Sequence, residues 1–261
     1  MIYAAIALFA SLIGATSGLG GGVIIKPVLD LISGFDAGSI SLLSAFTVLA
    51  MAAASLIRQF FYKTKIEYRL GIMLSAGAFA GGYIGNFLFN TLLRLWGNSA
   101  AVTLFQNLLL SLLLIAVLLY MNTFKNKKSC ILHNPAIIIF TGTCLGALSS
   151  FIGIGGGPIN MLVLTSLFSM HTKEAAVNSL LLVFFSQGAK ILTVGLTSGF
   201  AAYELTVLWL MLPAGIIGGL LGAWLNKRAE SKYIMRLFNL TNLAIIGISI
   251  FNSAQIIFEL M

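Results

Sequence analysis

Apolar residues run through this chain in long blocks, not in the alternations or one-sided stripes of a water-soluble fold. Blocks of about 20 residues or more, the length a helix needs to cross a hydrocarbon core of about 30 Å, fall at 39–62, 67–93, 101–121, 172–195, 203–225 and 234–257. Two further apolar regions, 2–32 and 134–168, are broken by glycine runs, GLGGG at 18–22 and GIGGG at 153–157. The pattern predicts six spanning helices and two glycine-interrupted helical regions.

Composition confirms the solvent. Hydrophobic residues make up 59% and charged residues 8% of the chain, with a mean hydropathy of +1.02, against about 25% charged residues in soluble domains. The expected fold class is therefore an all-α integral membrane protein, with the lipid bilayer as its first partner. No basic segment precedes the first apolar stretch, so a cleaved signal peptide is not expected. Cys130 and Cys144 do not form a disulfide framework, and His133 and His171 lack Cys or carboxylate partners at ligand spacing. Neither a metal nor a cofactor is expected.

The net charge of +8 reports topology, not a nucleic-acid partner. Eleven of the fifteen Lys and Arg residues fall in three short loops: Arg58, Lys63, Lys65 and Arg69; Lys125, Lys127 and Lys128; and Lys227, Arg228, Lys232 and Arg236. The positive-inside rule places all three in the cytoplasm. Between the second and third loops lie region 134–168 and two spans, so a single crossing by 134–168 would put those loops on opposite sides. The conflict disappears if 134–168 is a re-entrant hairpin of two half-length helices meeting at the glycines. By similarity, 2–32 is another.

The similarity is an internal repeat. At an offset of 135, GLGGGVIIKPVL (18–29) and GIGGGPINMLVL (153–164) agree at seven of twelve positions. At an offset of 137, AFAGGYIGNFL (78–88) matches GIIGGLLGAWL (215–225) at Gly81/Gly218, Gly82/Gly219 and Gly85/Gly222. The expected organisation is a first repeat over 1–124, a basic cytoplasmic linker at 125–133 and a second repeat over 134–261. Each repeat is one hairpin plus three spans. Three crossings per repeat invert the second relative to the first, which puts both termini outside. Inverted repeats with broken helices near the midplane are a recurrent plan of secondary transporters, although glycines that serve only close helix packing would give a similar local pattern.

Irregular backbone at membrane depth is tolerated where protein buries it or where it lines a watery cavity. The helix starting after each glycine run offers N–H groups without intrahelical partners and a partial positive charge, which suits an anion. The candidate donors are the backbones of Gly20, Gly21 and Gly22 and of Gly155, Gly156 and Gly157. Lys26 lies one turn into the first such helix and Lys190 lies inside an apolar block. All seven Asp and Glu residues map near segment ends or loops, so both lysines are expected to lack carboxylate partners and to favour a mobile anion as counterion. The alternative for both is snorkelling to the interface. Ser44, Asn160, Asn178, Ser179 and Gln187 add polar groups at depth, for which helix-to-helix hydrogen bonding is the alternative use.

The twin glycine motifs, the AVNSLLLVFF stretch at 176–185 and the segments SAGAFAGGYIGNFL and PAGIIGGLLGAWL resemble the sulfite exporter family, TauE/SafE, over essentially the whole chain. The resemblance implies a permease for a small organic or inorganic sulfur oxyanion of the sulfite, sulfonate or thiosulfate class, with the glycine motifs facing each other across the transport site. The family's small residue, then Thr or Asn, then Ser is present as Val177, Asn178 and Ser179, whereas the first repeat has Leu42, Leu43 and Ser44, which leaves Ser44 as its polar candidate. The expected mechanism is alternating access in a bacterial inner membrane. Lys26 would neutralise the anion, Ser44, Asn160, Asn178 and Ser179 would orient it, and Gln187 and Lys190 would line the path. With no deep carboxylate, a proton relay through Asp or Glu is not expected. No HExxH or GxSxG motif supports an intramembrane enzyme. A membrane assembly or sensing factor without flux is the alternative, and association as a homo-oligomer is left open.

Overall fold

A computed structural model describes residues 1–62, 68–123 and 134–260. Lys63, Lys65, Lys125, Lys127, Lys128, Cys130, His133 and the linker 125–133 lie outside the described residues. Within them the chain forms ten helices and no strand: α1 (Ile2–Ser17), α2 (Gly22–Ile32), α3 (Ala37–Phe61), α4 (Tyr68–Trp96), α5 (Ser99–Thr123), α6 (Pro135–Ile152), α7 (Gly157–Ser166), α8 (Thr172–Thr197), α9 (Leu208–Arg228) and α10 (Ser231–Leu260). Seven of these, α3 to α6 and α8 to α10, are long and apolar enough to cross a membrane, and α1 is a shorter apolar helix.

Local chemistry sets the boundaries. Asp36 caps α3, its Oδ2 accepting from the Gly38 and Ser39 amides at 2.8 and 3.0 Å, and Asn134 caps α6 by accepting from the Ala136 amide at 3.0 Å, with Pro135 in the first turn. α1 and α6 both end on a left-handed glycine, Gly18 at φ 75° and Gly153 at φ 76°. The expectation of two half-length arms is corrected. The entering arms have 16 and 18 residues and the leaving arms only 11 and 10, because the glycines come late in each apolar run; α6 alone is about 27 Å long at 1.5 Å per residue.

The paired-glycine segments are packing faces. On α4, Gly77, Gly81 and Gly85 meet the backbone of α6, and a Cβ on Gly81 would lie 2.1 Å from the Thr143 carbonyl oxygen. On α9, Gly218 and Gly222 meet the backbone of α1 in the same way, at Leu8 and Leu12. Small residues let membrane helices approach this closely, so dispersion and weak polar contacts hold them where no hydrophobic drive exists. Both pairs run parallel, as do α4 and α8, where Gly71 meets Leu181 and Gly82 meets Ser186 and Ala189. α3 and α8 run antiparallel: Lys190 bonds Ser41, Leu49 packs at Gly188, and Val48 and Val183 both meet Gly155.

The packing therefore crosses between the two ends of the chain. One apolar core joins α1, α2 and α3 to Leu180 and Val183 of α8 and Met211 of α9. Another joins Leu74 and Ala78 of α4 to α6, α7 and α8. A third gathers Val23, Ile154, Leu110, Leu114 and Ile245 where α5 and α10 cover the glycine breaks.

Candidate functional site

The two glycine breaks pack against each other. A Cβ on Gly22 would lie 2.6 Å from the Ile154 carbonyl oxygen, and one on Gly157 would lie 1.7 Å from that of Leu19. These contacts are related by the 135-residue offset. They correct an expectation: the space opened by the missing side chains at Gly22 and Gly157 is taken by the opposite tip's carbonyl, not left for a ligand. The Gly20 amide is also engaged, donating to the Gly14 carbonyl at 3.3 Å. Gly157→Ala is expected to destabilise the fold by about 1–3 kcal/mol through overpacking. Gly247→Ala, whose Cβ would meet nothing within 4 Å, is the control. Equal thermal midpoints for the two variants would refute close tip packing.

Both lysines are buried at 1% exposure inside the protein, not snorkelled to an interface. The expectation that neither has a carboxylate partner is wrong for Lys26. Its Nζ is 2.9 Å from Asp30 Oδ2, and both side chains are 2% exposed. The physical reason is helical spacing: residues i and i+4 of α2 share a face, and the face that carries Lys26 is buried, so it takes the Asp30 side chain inside with it. This also removes the ground for setting a carboxylate proton relay aside. Lys190 differs. Among the described residues it has no ion-pair partner; its ammonium donates to Ser41 Oγ and, at 3.3 Å, to the Ser150 carbonyl, and lies 5.7 Å from the centre of the Phe89 ring.

Four elements converge here. A Cβ on Gly153 would lie 2.5 Å from Ser41 Oγ and 3.4 Å from Lys26 Cδ, so the Lys26 stem, Ser41 and the second tip share one point. Ser44, one turn on from Ser41, has a buried hydroxyl without a partner and would touch a Cβ on Gly22 at 3.0 Å. Gln187, one turn from Lys190, donates to Ser149 Oγ at 3.2 Å and leaves its Oε1 unpaired. Ser149 also lies beneath Gly156. Lys190, Ser41, Ser44, Ser150 and Gln187 form one polar centre, with the neutral Lys26–Asp30 pair beside it.

Asn178 and Ser179 are elsewhere. Twelve residues separate Asn178 from Lys190 along α8, about 18 Å, far beyond the reach of one small oxyanion. Asn178 Nδ2 donates to the Glu174 carbonyl at 2.9 Å, and its Oδ1 is unpaired. Ser179 donates to the Gly18 carbonyl at 2.7 Å, with the Gly157 carbonyl at 3.5 Å, so its proton ties the tips together. Asn160 is 2% exposed on the arm that starts beside Ser179, with Oδ1 unpaired. The expected single constellation is thus two groups, separated by the Val48–Val183 crossing on which Gly20 and Gly155 rest. The tips pass each other instead of meeting end to end, so each carries its polar residues beyond the centre.

Ser41, Ser150, Phe89 and Asp30 were not singled out by sequence. Asp30 was legible as an i+4 partner of Lys26, and Ser41 shares a helix face with Ser44. Ser150 and Phe89 act through a backbone carbonyl and a ring, and composition gives no signal for either. Two more amides secure the hairpins: Gln106 Nε2 donates to the Phe151 carbonyl at 2.6 Å and Asn252 Nδ2 to that of Pro27 at 2.8 Å. They satisfy carbonyls that lipid could not.

A buried cation amid hydroxyls and amides, in an all-helical membrane protein, has the chemistry of an anion site. Comparison with known proteins agrees on the class. The family model described as "Sulfite exporter TauE/SafE" matches residues 3–250. The chain is also 27% identical over 293 residues to the "Probable membrane transporter protein YunE" of Bacillus subtilis (strain 168), covering 99% of this chain and 97% of that protein. Helical architecture, glycine-paired packing and a match over nearly the full length lead to one conclusion: this chain is a multi-pass membrane protein belonging to the TauE/SafE sulfite exporter family of membrane transporters.

Proposed function

We propose that this protein is a permease for small sulfur-containing anions of the sulfite, sulfonate or thiosulfate class. The observation that carries the reading is Lys190, an ammonium buried at 1% exposure in a spanning helix with hydroxyl and carbonyl partners and, among the described residues, no carboxylate. Burying a charge is costly unless it is paired, and a transported oxyanion is the counterion that completes it. Lys190 supplies the charge, Ser41 and Ser44 the hydroxyls, and the Lys26–Asp30 pair holds the first tip in place. Asn160 and Asn178 belong to the second polar group, which the anion meets on the other side of the Val48–Val183 crossing.

In this reading the basic loops are cytoplasmic, both termini lie outside, the repeats are inverted, and the protein sits in the inner membrane. The moving bodies are not the two halves in chain order. Close glycine packing joins α1 to α9 and α4 to α6, so the bodies that rock are α1, α2, α3 and α9 against α4, α6, α7 and α8. Gly20, Gly155, Val48 and Val183 lie at their interface.

A thermal-shift panel of sulfite, thiosulfate, sulfonates, sulfate and carboxylates tests the reading. A transported anion at a hundredfold excess over its Kd is expected to stabilise the protein by about 2.7 kcal/mol. Stabilisation by carboxylates alone would overturn the substrate class. Absence of stabilisation by any of them, with no flux in proteoliposomes, would favour an assembly or sensing role.

A further inference from the structure

A cavity of about 270 Å³ opens between the C-terminal parts of α4 and α8, at the end of the bundle opposite the basic residues Arg58, Arg69 and Lys227. Its lining includes Asn86, Asn90 and Arg94 of α4 and Thr193 and Thr197 of α8. Two features make it more than a surface dent. Asn86 is 1% exposed and its Nδ2 has no hydrogen-bond partner, so the cavity wall holds a buried, unpaired donor. The cavity also adjoins the Lys190 centre. Thr193 is one turn on from Lys190, and Phe89, beside Asn86 and Asn90 on α4, has its ring 5.7 Å from the Lys190 ammonium.

We propose that this cavity is an oxyanion-capturing vestibule, in which the Arg94 guanidinium and the Asn86 amide hold the anion before it passes Phe89 to Lys190. The inference rests on the reading of the protein as an anion permease and adds a second subsite to it. Arg94 is the cationic group of the lining, and its fork of donors suits an oxyanion. Thr193 and Thr197 cannot contribute protons, since both hydroxyls donate to their own helix, to the Ala189 and Thr193 carbonyls at 2.7 Å. The negative ends of α4 and α8 point the same way. One guanidinium and one amide against two helix C-termini make a weak, fast-exchanging site, which is what a waiting position before a stronger cation requires.

The end with the basic loops is built differently. Thr197 corresponds at the 135-residue offset to Tyr62, and Asn90 at 137 to Lys227. There the Lys227 ammonium lies 4.2 Å from the centre of the Tyr62 ring, whose hydroxyl accepts from Arg58 Nε at 2.8 Å. A ring and two cations occupy the place that is cavity at the other end.

The test is initial-rate sulfite and thiosulfate flux in proteoliposomes for the full chain, Arg94→Gln, Arg94→Lys and Asn86→Leu, at low and high ionic strength. Removing a steering charge lowers capture by about tenfold or more and flattens the salt dependence. Arg94→Gln is therefore expected to raise KM about tenfold at low salt, with the difference shrinking at high salt as screening takes over, and Arg94→Lys to recover part of the loss. Asn86→Leu is expected to raise KM at both salts, because its effect is a lost hydrogen bond. Thermal midpoints establish that each variant is folded; Arg94 is exposed, so its variants keep the assay informative if Asn86→Leu does not fold. Normal wild-type flux with KM and salt dependence unchanged in Arg94→Gln would overturn the vestibule. Absence of wild-type flux for every anion would overturn the permease reading itself, so the two failures are distinguishable.

Discussion

Replacing Lys190 by methionine is expected to lower sulfur-oxyanion flux at least about 30-fold while leaving the helical bundle assembled. Truncating one partner of a buried, hydrogen-bonded charge pair costs about 2–5 kcal/mol, and each 1.4 kcal/mol is tenfold in affinity. Methionine keeps a stem of similar length, so the space at Ser41 and Ser150 stays filled. The change leaves the Ser41 hydroxyl and Ser150 carbonyl short of a partner, at about 1–3 kcal/mol for an unsatisfied group, but it also removes an ammonium that the protein had to desolvate. The measurement pairs initial-rate flux in proteoliposomes with thermal unfolding. Flux within threefold of wild type, from folded protein, would remove Lys190 from the transport site.

Lys26→Met is expected to destabilise the protein by about 3–5 kcal/mol, because it strands Asp30 as a buried carboxylate without its ion-pair partner. The double variant Lys26→Met with Asp30→Asn is expected to recover most of that loss, since replacing both members of a buried pair is often near neutral. Flux separates the two roles open to Lys26. As a structural partner of Asp30, it is dispensable once Asp30 is neutral, and the double variant transports. As the anion's own counterion, it is indispensable, and the double variant folds but stays inactive. The ion-pair geometry supports the first outcome. A double variant as unstable as the single one would mean that the pair is not what Lys26 contributes.

Much of the fold was legible because membrane helices announce themselves by length. Each block of about 20 apolar residues became one helix, and each glycine run became a break, since a left-handed residue such as Gly18 or Gly153 ends a helix wherever it falls. The site was less legible. Depth along the chain suggested Lys26 and Lys190, and both are buried. The inference that a buried lysine is unpaired failed at Lys26 because Asp30 was judged by its distance from a segment end, whereas what matters is which face of α2 it occupies. Asn178 and Ser179 were grouped with Lys190 by polarity, although one helix cannot bring residues twelve apart to the same small ligand.

The amino-acid sequence by itself determined the solvent, the places of the six unbroken helices, the positions of the breaks and the repeated glycine faces. Each follows from interactions within about one turn or from transfer of whole segments into lipid. Only the tertiary structure decided that α1 lies on α9 and α4 on α6, that the glycine tips pass each other, and that Lys190 lies against Ser41 and Ser150. Those outcomes depend on contacts between residues far apart in the chain. Lipid is as apolar as the helix faces it meets, so the choice of partner rests on close steric fit between glycines and backbone, which no local pattern encodes.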